Sequence, residues 1–213
     1  MESDNVWTLL GRFSMEDGEN WMKDSGEWWY DKNVLAGETA DPLSNKDMIS
    51  PAFWLVSGNE IKITRNDDPQ HIALLQTTGD CLGGQTFRSK ITSYGDFKNG
   101  KTWRNNQCLG KCTVRYGGQY ETTQGFGKAK CNGTILSGDK IGFWCDREKS
   151  WGRAVVMIGG GGNGICGLTS HGLGVTRAYK PSFKNGKRPE RDFGNSPSPS
   201  DYTRDYSLNL WIL

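Results

Sequence analysis

Alternating and continuous apolar runs along the chain predict a strand-rich protein. Val6–Phe13 is a β-branched and aromatic run typical of a strand, and Asn59–Arg65 alternates apolar with polar residues, which indicates a strand with one solvent-facing side. Further short strands, separated by long loops, are predicted at His71–Thr77, Gln85–Lys90, Cys112–Tyr116 and, to close the chain, Tyr206–Ile212. A helix is a candidate only near Asp47–Val56.

One stretch, Ala154–Gly174, organises the rest of the chain. It begins with Ala154–Ile158, a short apolar run bounded by turn residues, which is typical of a buried strand. The four consecutive glycines Gly159–Gly162 then end the strand. Since glycine permits close approach of a backbone or a ligand at an entropic cost, we expect this loop either to pack tightly or to bind something.

Dinucleotide binding is the first alternative for this loop. Gly159, Gly161 and Gly164 match the G-x-G-x-x-G fingerprint directly after a strand. The fingerprint needs a helix after the third glycine to face a pyrophosphate, and an acidic residue about twenty positions later. The sequence Ile165–Thr169 starts no helix, and the acidic residue is absent, so this reading is rejected.

Composition indicates a single domain over residues 1–213. The chain has 213 residues, 35% of them hydrophobic, with outlying numbers of glycine (29) and tryptophan (9). The chain has 26 Lys and Arg against 24 Asp and Glu, so it lacks the strong positive electrostatic field that would indicate nucleic acid as a partner. No stretch reaches the roughly 18 apolar residues of a membrane span. The start, Met1–Asp4, has no apolar signal region, and we expect an upstream segment to have been removed.

The six cysteines predict three disulfides. They are Cys81, Cys108, Cys112, Cys131, Cys145 and Cys166. A metal site would need paired cysteines or histidines at fixed spacing, which the sequence lacks. Disulfides imply an oxidising, extracellular or secretory compartment, and the glycosylation sequon at Asn132 agrees with secretion.

The pairing of these cysteines is only partly predicted. Cys145 and Cys166 flank the buried strand and its glycine loop, so we expect them to be bonded to each other. Three connectivities remain open for the other four cysteines. The preferred one joins Cys81 to Cys108 and Cys112 to Cys131.

Two further clusters are interpreted as structural. The tryptophans of Glu19–Tyr30 are expected to form core, with a stacking platform for sugars as the alternative. The basic run Lys184–Arg191 is expected to be a solvated loop and not a contact patch. His71, beside Pro69 in a turn, is expected to be an ordinary surface histidine.

The order of several segments resembles a known family. The segments are Val6–Phe13, the Trp-rich Glu19–Tyr30, Phe143–Cys145, the loop Ile158–Gly162 before Cys166–Gly167, and Tyr206–Ile212. Together they resemble fibrinogen C-terminal-like domains of the cnidarian kind found in secreted coral skeletal organic matrix proteins, with intelectins as more distant relatives. The resemblance implies a secreted α+β domain, strand- and loop-rich with few short helices and stapled by disulfides. It also implies a binding surface made by C-terminal loops, in a family of recognition modules that includes many lectins.

The sequence departs from that family at its usual calcium site. Between Cys145 and Gly174 the only carboxylates are Asp146 and Glu148, whereas calcium takes six to eight oxygen ligands. Leu168 stands where intelectins have an acidic residue after the Cys-Gly pair. We therefore expect neither a cofactor nor a metal, with calcium as the remaining alternative. The family's cysteine-bearing segment before Val6 is also absent.

An enzyme is not expected. Ser170 and His171 form the single locus at which a serine and a base come together, and adjacent residues rarely face each other productively. Two hypotheses remain: a module that binds glycans or other polar ligands, and a structural or adhesive component of an extracellular matrix that acts through protein contacts. The oligomeric state is not predicted.

The predicted ligand site lies in the glycine-rich loop. His171 and Asn163 each have glycine neighbours that leave their polar groups open, and Trp151 could stack on a sugar ring. Gly161 and Gly162 complete the site. In the alternative reading, His171 only bonds a neighbouring carbonyl and the glycines let the loop pack.

Overall fold

Strands dominate the described part of the chain. The computed structural model describes residues 6–14, 34–95, 104–105, 107–117, 139–146, 153–158, 172–176, 191–193 and 206–213. The strands are β1 (Thr8–Phe13), β2 (Ala36–Gly37), β3 (Met48–Ile49), β4 (Ser57–Gly58), β5 (Ile61–Arg65), β6 (Leu75–Thr77), β7 (Gln85–Thr86), β8 (Arg104–Asn105), β9 (Gly110–Tyr116), β10 (Lys140–Asp146), β11 (Arg153–Ile158), β12 (Gly172–Thr176), β13 (Arg191–Phe193) and β14 (Leu208–Ile212). The helices are α1 (Ala52–Leu55) and α2 (Phe87–Ser93). The predicted wealth of strands and scarcity of helix are confirmed.

Most of the described strands form one sheet. Its order is β13-β12-β11-β10-β9-β6-β5-β14-β1-β3-β2, with β8 beside β10, while β4 and β7 pair separately. Along the path from β13 to β2 the neighbours are antiparallel, and β8 runs parallel to β10. Residues that lie directly opposite each other in antiparallel strands project to the same face. The register therefore determines which side chains share a face.

The closing strand β14 lies in the middle of the sheet. It pairs with β1, the first strand, and with β5 on its other side. Leu208, Leu210 and Ile212 alternate along it and are buried in the core. The strand predicted for Tyr206–Ile212 is confirmed over Leu208–Ile212. Its pairing with β1 places the first and the last described strands side by side.

Most of the core lies on one face of this sheet, and the two helices pack on that face. Phe87 of α2 packs against Phe53 of α1 with ring centroids 5.7 Å apart, and against Phe143 of β10 at 6.2 Å. The indole Nε1 of Trp144 donates a hydrogen bond to the Ile91 carbonyl at 2.8 Å. These contacts fix α2 against the sheet.

The sequence-based assignment of Gln85–Lys90 as a strand is wrong beyond Thr86. Strand β7 ends there, and the Thr86 hydroxyl accepts a hydrogen bond from the Ser89 amide at 3.1 Å, which begins α2. Phe87 and Ile91 are four residues apart and both buried, as on one helix face. Within the helix candidate Asp47–Val56, only Ala52–Leu55 is helical, because Met48–Ile49 pairs with β1.

The apolar run Ala154–Ile158 is confirmed as a strand. It forms β11, which lies between β10 and β12, and Ala154, Val155 and Val156 are fully buried. The loop predicted to extend to Gly174 is shorter than expected at its far end, because Gly172–Thr176 forms β12 and pairs with β11. Gly174 takes a positive φ of 63° within that strand.

The described residues contain two disulfides, and both differ from the predicted pairing. Cys108 is bonded to Cys145, and Cys81 is bonded to Cys112. The predicted pairs of Cys145 with Cys166, Cys81 with Cys108, and Cys112 with Cys131 are therefore wrong. Cys131 and Cys166 lie outside the described residues.

The strand register explains the bond between Cys108 and Cys145. Phe143 of β10 lies opposite Gly110 of β9, and the Leu109 amide donates to the Phe143 carbonyl at 2.8 Å. Two residues beyond Phe143 and two before Gly110 are therefore adjacent, and these are the two cysteines. A Cβ on Gly142 would lie 2.7 Å from the Cys108 Cβ, so the disulfide packs where a side chain would otherwise stand.

Candidate functional site

The ligand site predicted from the sequence lies outside the described residues. Its members are Trp151, Gly161, Gly162, Asn163 and His171, and the sequon residue Asn132 is also outside. That site remains a prediction. The described strands present a different site, on the face of the sheet opposite the core.

A row of four polar or aromatic side chains crosses this outer face. Trp211 of β14 lies opposite Lys62 of β5, and Lys62 lies opposite Gln76 of β6. Gln76 in turn lies opposite Arg115 of β9. The residues that alternate with them are buried on the core side: Ile61, Ile63, Leu75, Leu210 and Val114. We call Trp211, Lys62, Gln76 and Arg115 the first row.

A second row runs beside the first, two residues away from Lys62, Gln76 and Arg115 and partly beyond the ends of β5 and β6. Thr113 lies opposite Lys140 of β10, and the Lys140 Nζ donates to the Thr113 Oγ1 at 2.7 Å. The Thr78 amide donates to the Thr113 carbonyl at 2.9 Å. Glu60 precedes Lys62 by two residues and so lies on the same face. We call Glu60, Thr78, Thr113 and Lys140 the second row.

An open cavity of about 130 Å³ lies where the two rows meet. It is lined by Glu60, Gln76, Thr77, Thr78, Gly79 and Arg115. Small-molecule pockets commonly have volumes of about 300–1,000 Å³. This cavity therefore suits one polar group of a larger ligand better than a whole drug-sized molecule.

The cavity offers both donors and acceptors. Gln76 Nε2 donates to Glu60 Oε2 at 3.0 Å, which holds both side chains in place. The Thr77 hydroxyl already has a structural partner, because it accepts a hydrogen bond from the Ile61 amide at 2.8 Å. Arg115 is exposed and has no ion-pair partner among the described residues. A polar ligand can therefore meet a carboxylate, an amide and a guanidinium in one place.

Lys62 is held between two indole rings beside the cavity. Its Nζ lies 4.7 Å from the Trp7 ring centroid and 5.4 Å from that of Trp211. Burial lowers the pKa of Lys62 from its ordinary value. Trp211 is itself anchored, since its Nε1 donates to Thr64 Oγ1 at 2.9 Å. The first row therefore begins with a preorganised amine.

His71 also contacts this cluster. Its ring centroid lies 4.9 Å from that of Trp211 at an interplanar angle of 56°. It takes a positive φ of 49°, and its amide donates to the Asp68 carbonyl at 3.0 Å. The turn predicted here is present. The interpretation of His71 as an ordinary surface residue missed its packing on Trp211.

The segment 38–47 covers the outer face on the other side of Trp211. Arg12 of β1 is 1% exposed and donates hydrogen bonds to four carbonyls of this segment. The acceptors belong to Glu38, Asp41, Pro42 and Lys46. The open part of the outer face is therefore the part formed by β5, β6, β9 and β10.

Tyr116 lies on the core side of β9, and the nearby acid Asp139 acts on it electrostatically. Burial raises the pKa of Tyr116, and the charge of Asp139 raises it further. Although Asp139 precedes Lys140 in the chain, its charge acts on Tyr116. Within the two rows, Glu60 is the acidic member.

No family model matches the chain, and no curated protein is significantly similar to it. In the described residues, no helix is long and apolar enough to cross a membrane. No three metal-ligating side chains cluster among those same residues.

The outer face was not predicted from the sequence, because the ligand site was expected in the glycine-rich loop. The signal available was the alternation in β9, where Lys111, Thr113 and Arg115 are exposed while Cys112 and Val114 are buried. Alternation alone predicts a solvated face. Only the strand order places β6 between β9 and β5, which completes the cavity.

Proposed function

We propose that the protein is a secreted extracellular recognition module that binds glycans or other polar ligands. The two disulfides support an oxidising compartment. The strand-rich fold with short helices agrees with a fibrinogen C-terminal-like domain, the family that the sequence resembles. On this proposal the domain is a binding unit with no catalytic residues.

The observation that carries this proposal is the polar cavity on the outer face. Sugar hydroxyls both donate and accept hydrogen bonds, and Glu60, Gln76 and Arg115 supply acceptors and donors at one point. Gln76 and Arg115 project from paired strands, and Glu60 directly precedes β5 and exchanges two backbone hydrogen bonds with Leu213, so little order has to be gained on binding. A preformed polar surface of this kind suits a hydroxyl-rich ligand.

A structural or adhesive role in an extracellular matrix is the second candidate. Leu35 and Val34 are 53% and 62% exposed, and Leu43 is 47% exposed. Exposed apolar side chains of this size are suited to protein contacts when they form a patch. This role needs no saturable ligand site.

A glycan array followed by calorimetry tests the proposal. We expect saturable binding of at least one glycan, and we expect Gln76→Ala to weaken it about five-fold, because a ligand group would lose a hydrogen bond worth about 1 kcal/mol. Gln70→Ala is the matched control, since Gln70 is an exposed glutamine outside the two rows. Thermal melts should show both variants folded. An array with no saturable signal would reject glycan recognition and favour the matrix role.

A further inference from the structure

Basic side chains are concentrated on the outer face. Lys62 and Arg115 stand in the first row and Lys140 in the second, while Lys111 follows on the same face of β9. Glu60 is the acidic side chain of the two rows, and it is engaged by Gln76. The whole chain carries 26 basic and 24 acidic residues, so this imbalance is local and does not follow from composition.

The spacing of these cations lets one extended ligand touch several of them. Neighbouring strands lie about 4.8 Å apart, so Lys62 and Arg115, two strands apart, are separated by about 10 Å at the backbone. Lys111 and Arg115 are four residues apart on β9, which corresponds to about 14 Å. An anion placed between two of these cations lies about 5–7 Å from each, which is within the Debye length of about 8 Å at physiological ionic strength, so both cations act on it.

The tryptophans favour an anionic ligand over a neutral one. A neutral sugar binds an aromatic residue by stacking on the ring face. Lys62 already lies over both Trp7 and Trp211, and His71 packs on Trp211 as well. What the cluster presents is therefore a fixed amine, and a charged acceptor makes the stronger hydrogen bond to it.

We propose that the outer face binds a polyanionic glycan, a sugar chain that carries sulfate or carboxylate groups, through Lys62, Lys111, Arg115 and Lys140. This inference rests on the proposed recognition of glycans and specifies their chemical class. The anionic groups pair with the cations, and hydroxyls of the same chain reach the cavity at Gln76 and Thr78. Sulfate and carboxylate share the required chemistry, and the probes below separate them.

The test measures binding of heparin, fully desulfated heparin, hyaluronan and neutral dextran by calorimetry at several salt concentrations. Heparin carries sulfate and carboxylate, whereas hyaluronan carries carboxylate alone. We expect heparin to bind with an affinity that falls as salt rises, and dextran to bind at least ten-fold more weakly. The double variant Arg115→Gln/Lys140→Gln should bind heparin about 25-fold more weakly, at about five-fold for each basic side chain near an anionic surface.

The matched control is Lys46→Gln/Lys90→Gln, which removes the same charge from outside the two rows. Lys90 lies on α2, the helix that packs on the core side. Equal weakening in both double variants would overturn the assignment to the outer face. Binding of dextran as tight as heparin would overturn the anionic class but leave glycan recognition standing. If a DNA duplex binds as tightly as heparin with the same salt dependence, the ligand is not specifically a glycan. If none of the four probes binds while the array shows saturable binding of another glycan, the anionic class is rejected and glycan recognition stands; if the array is also without signal, glycan recognition is rejected as well.

Discussion

Replacement of Arg12 should release the segment that borders the outer face. Arg12 is 1% exposed, and its guanidinium donates to the Lys46 carbonyl at 2.8 Å and to the Asp41 and Pro42 carbonyls at 3.0 Å each, with a further bond to Glu38. Arg12→Met keeps the aliphatic stem and removes all of these donors. The four carbonyls then lose their donor, while Ser14 still donates to the Asp47 carboxylate and the Asn45 carbonyl of the same segment.

The expected loss of stability is about 3 kcal/mol. Each hydrogen bond to a charged group contributes about 1.5–3 kcal/mol, so the simple sum would be at least about 6 kcal/mol. The real loss is smaller because Asp41 and Pro42 are exposed and their carbonyls regain water when the segment detaches. Arg12→Lys should fall between the wild type and Arg12→Met, since an ammonium lacks the planar fork that reaches several carbonyls.

Urea unfolding of the three proteins measures these differences. Amide hydrogen exchange adds a local readout, because the Glu38 amide donates to the Asp47 carbonyl and should exchange faster in Arg12→Met. Arg115→Met is the matched control at an exposed arginine and should change stability by less than about 0.5 kcal/mol. If the free energy of unfolding of Arg12→Met lies within about 0.5 kcal/mol of the wild-type value, the buried guanidinium does not hold the segment.

Three further predictions concern the core and the disulfides. Replacing Cys81 and Cys112 together by alanine should cost about 4 kcal/mol in urea unfolding, because this bond closes a loop with a sequence separation of 31, and an unchanged midpoint would argue against the bond. Gly142→Ala should destabilise by about 1–3 kcal/mol, because its Cβ would lie 2.7 Å from the Cys108 Cβ, and wild-type melting behaviour would contradict that packing. Burial is the main cause of the raised pKa of Tyr116, so the free energy of unfolding should be retained below about pH 10 and fall above it. Tyr116→Phe should lose less stability at alkaline pH. An identical pH profile in the two proteins would refute the role of Tyr116 in this loss.

The elements that the sequence predicted well are those whose pattern is local. The alternation in Tyr206–Ile212 and the apolar run Ala154–Ile158 each identified a strand, because burial on one or both faces leaves a direct trace in the residue order. Helix α2 was missed because Gln85–Lys90 was interpreted as a short strand, whereas the Thr86 cap and the four-residue spacing of Phe87 and Ile91 decided the outcome.

The disulfides could not be predicted in the same way. Cys108 and Cys145 are adjacent only because β9 and β10 pair with Phe143 opposite Gly110. That register is a property of the folded sheet and has no signature in the spacing of the cysteines. The same applies to the cavity, whose Glu60 and Arg115 are separated by 55 positions in the chain but come together through β6.

Chemical-shift mapping of backbone amides during titration with a heparin octasaccharide tests the account most directly. The outer-face site predicts that the largest shifts fall on Gln76, Thr78 and Arg115 and saturate together with the calorimetric curve. Saturating shifts confined to residues 159–174 would contradict it, and would place recognition in the glycine-rich loop around His171.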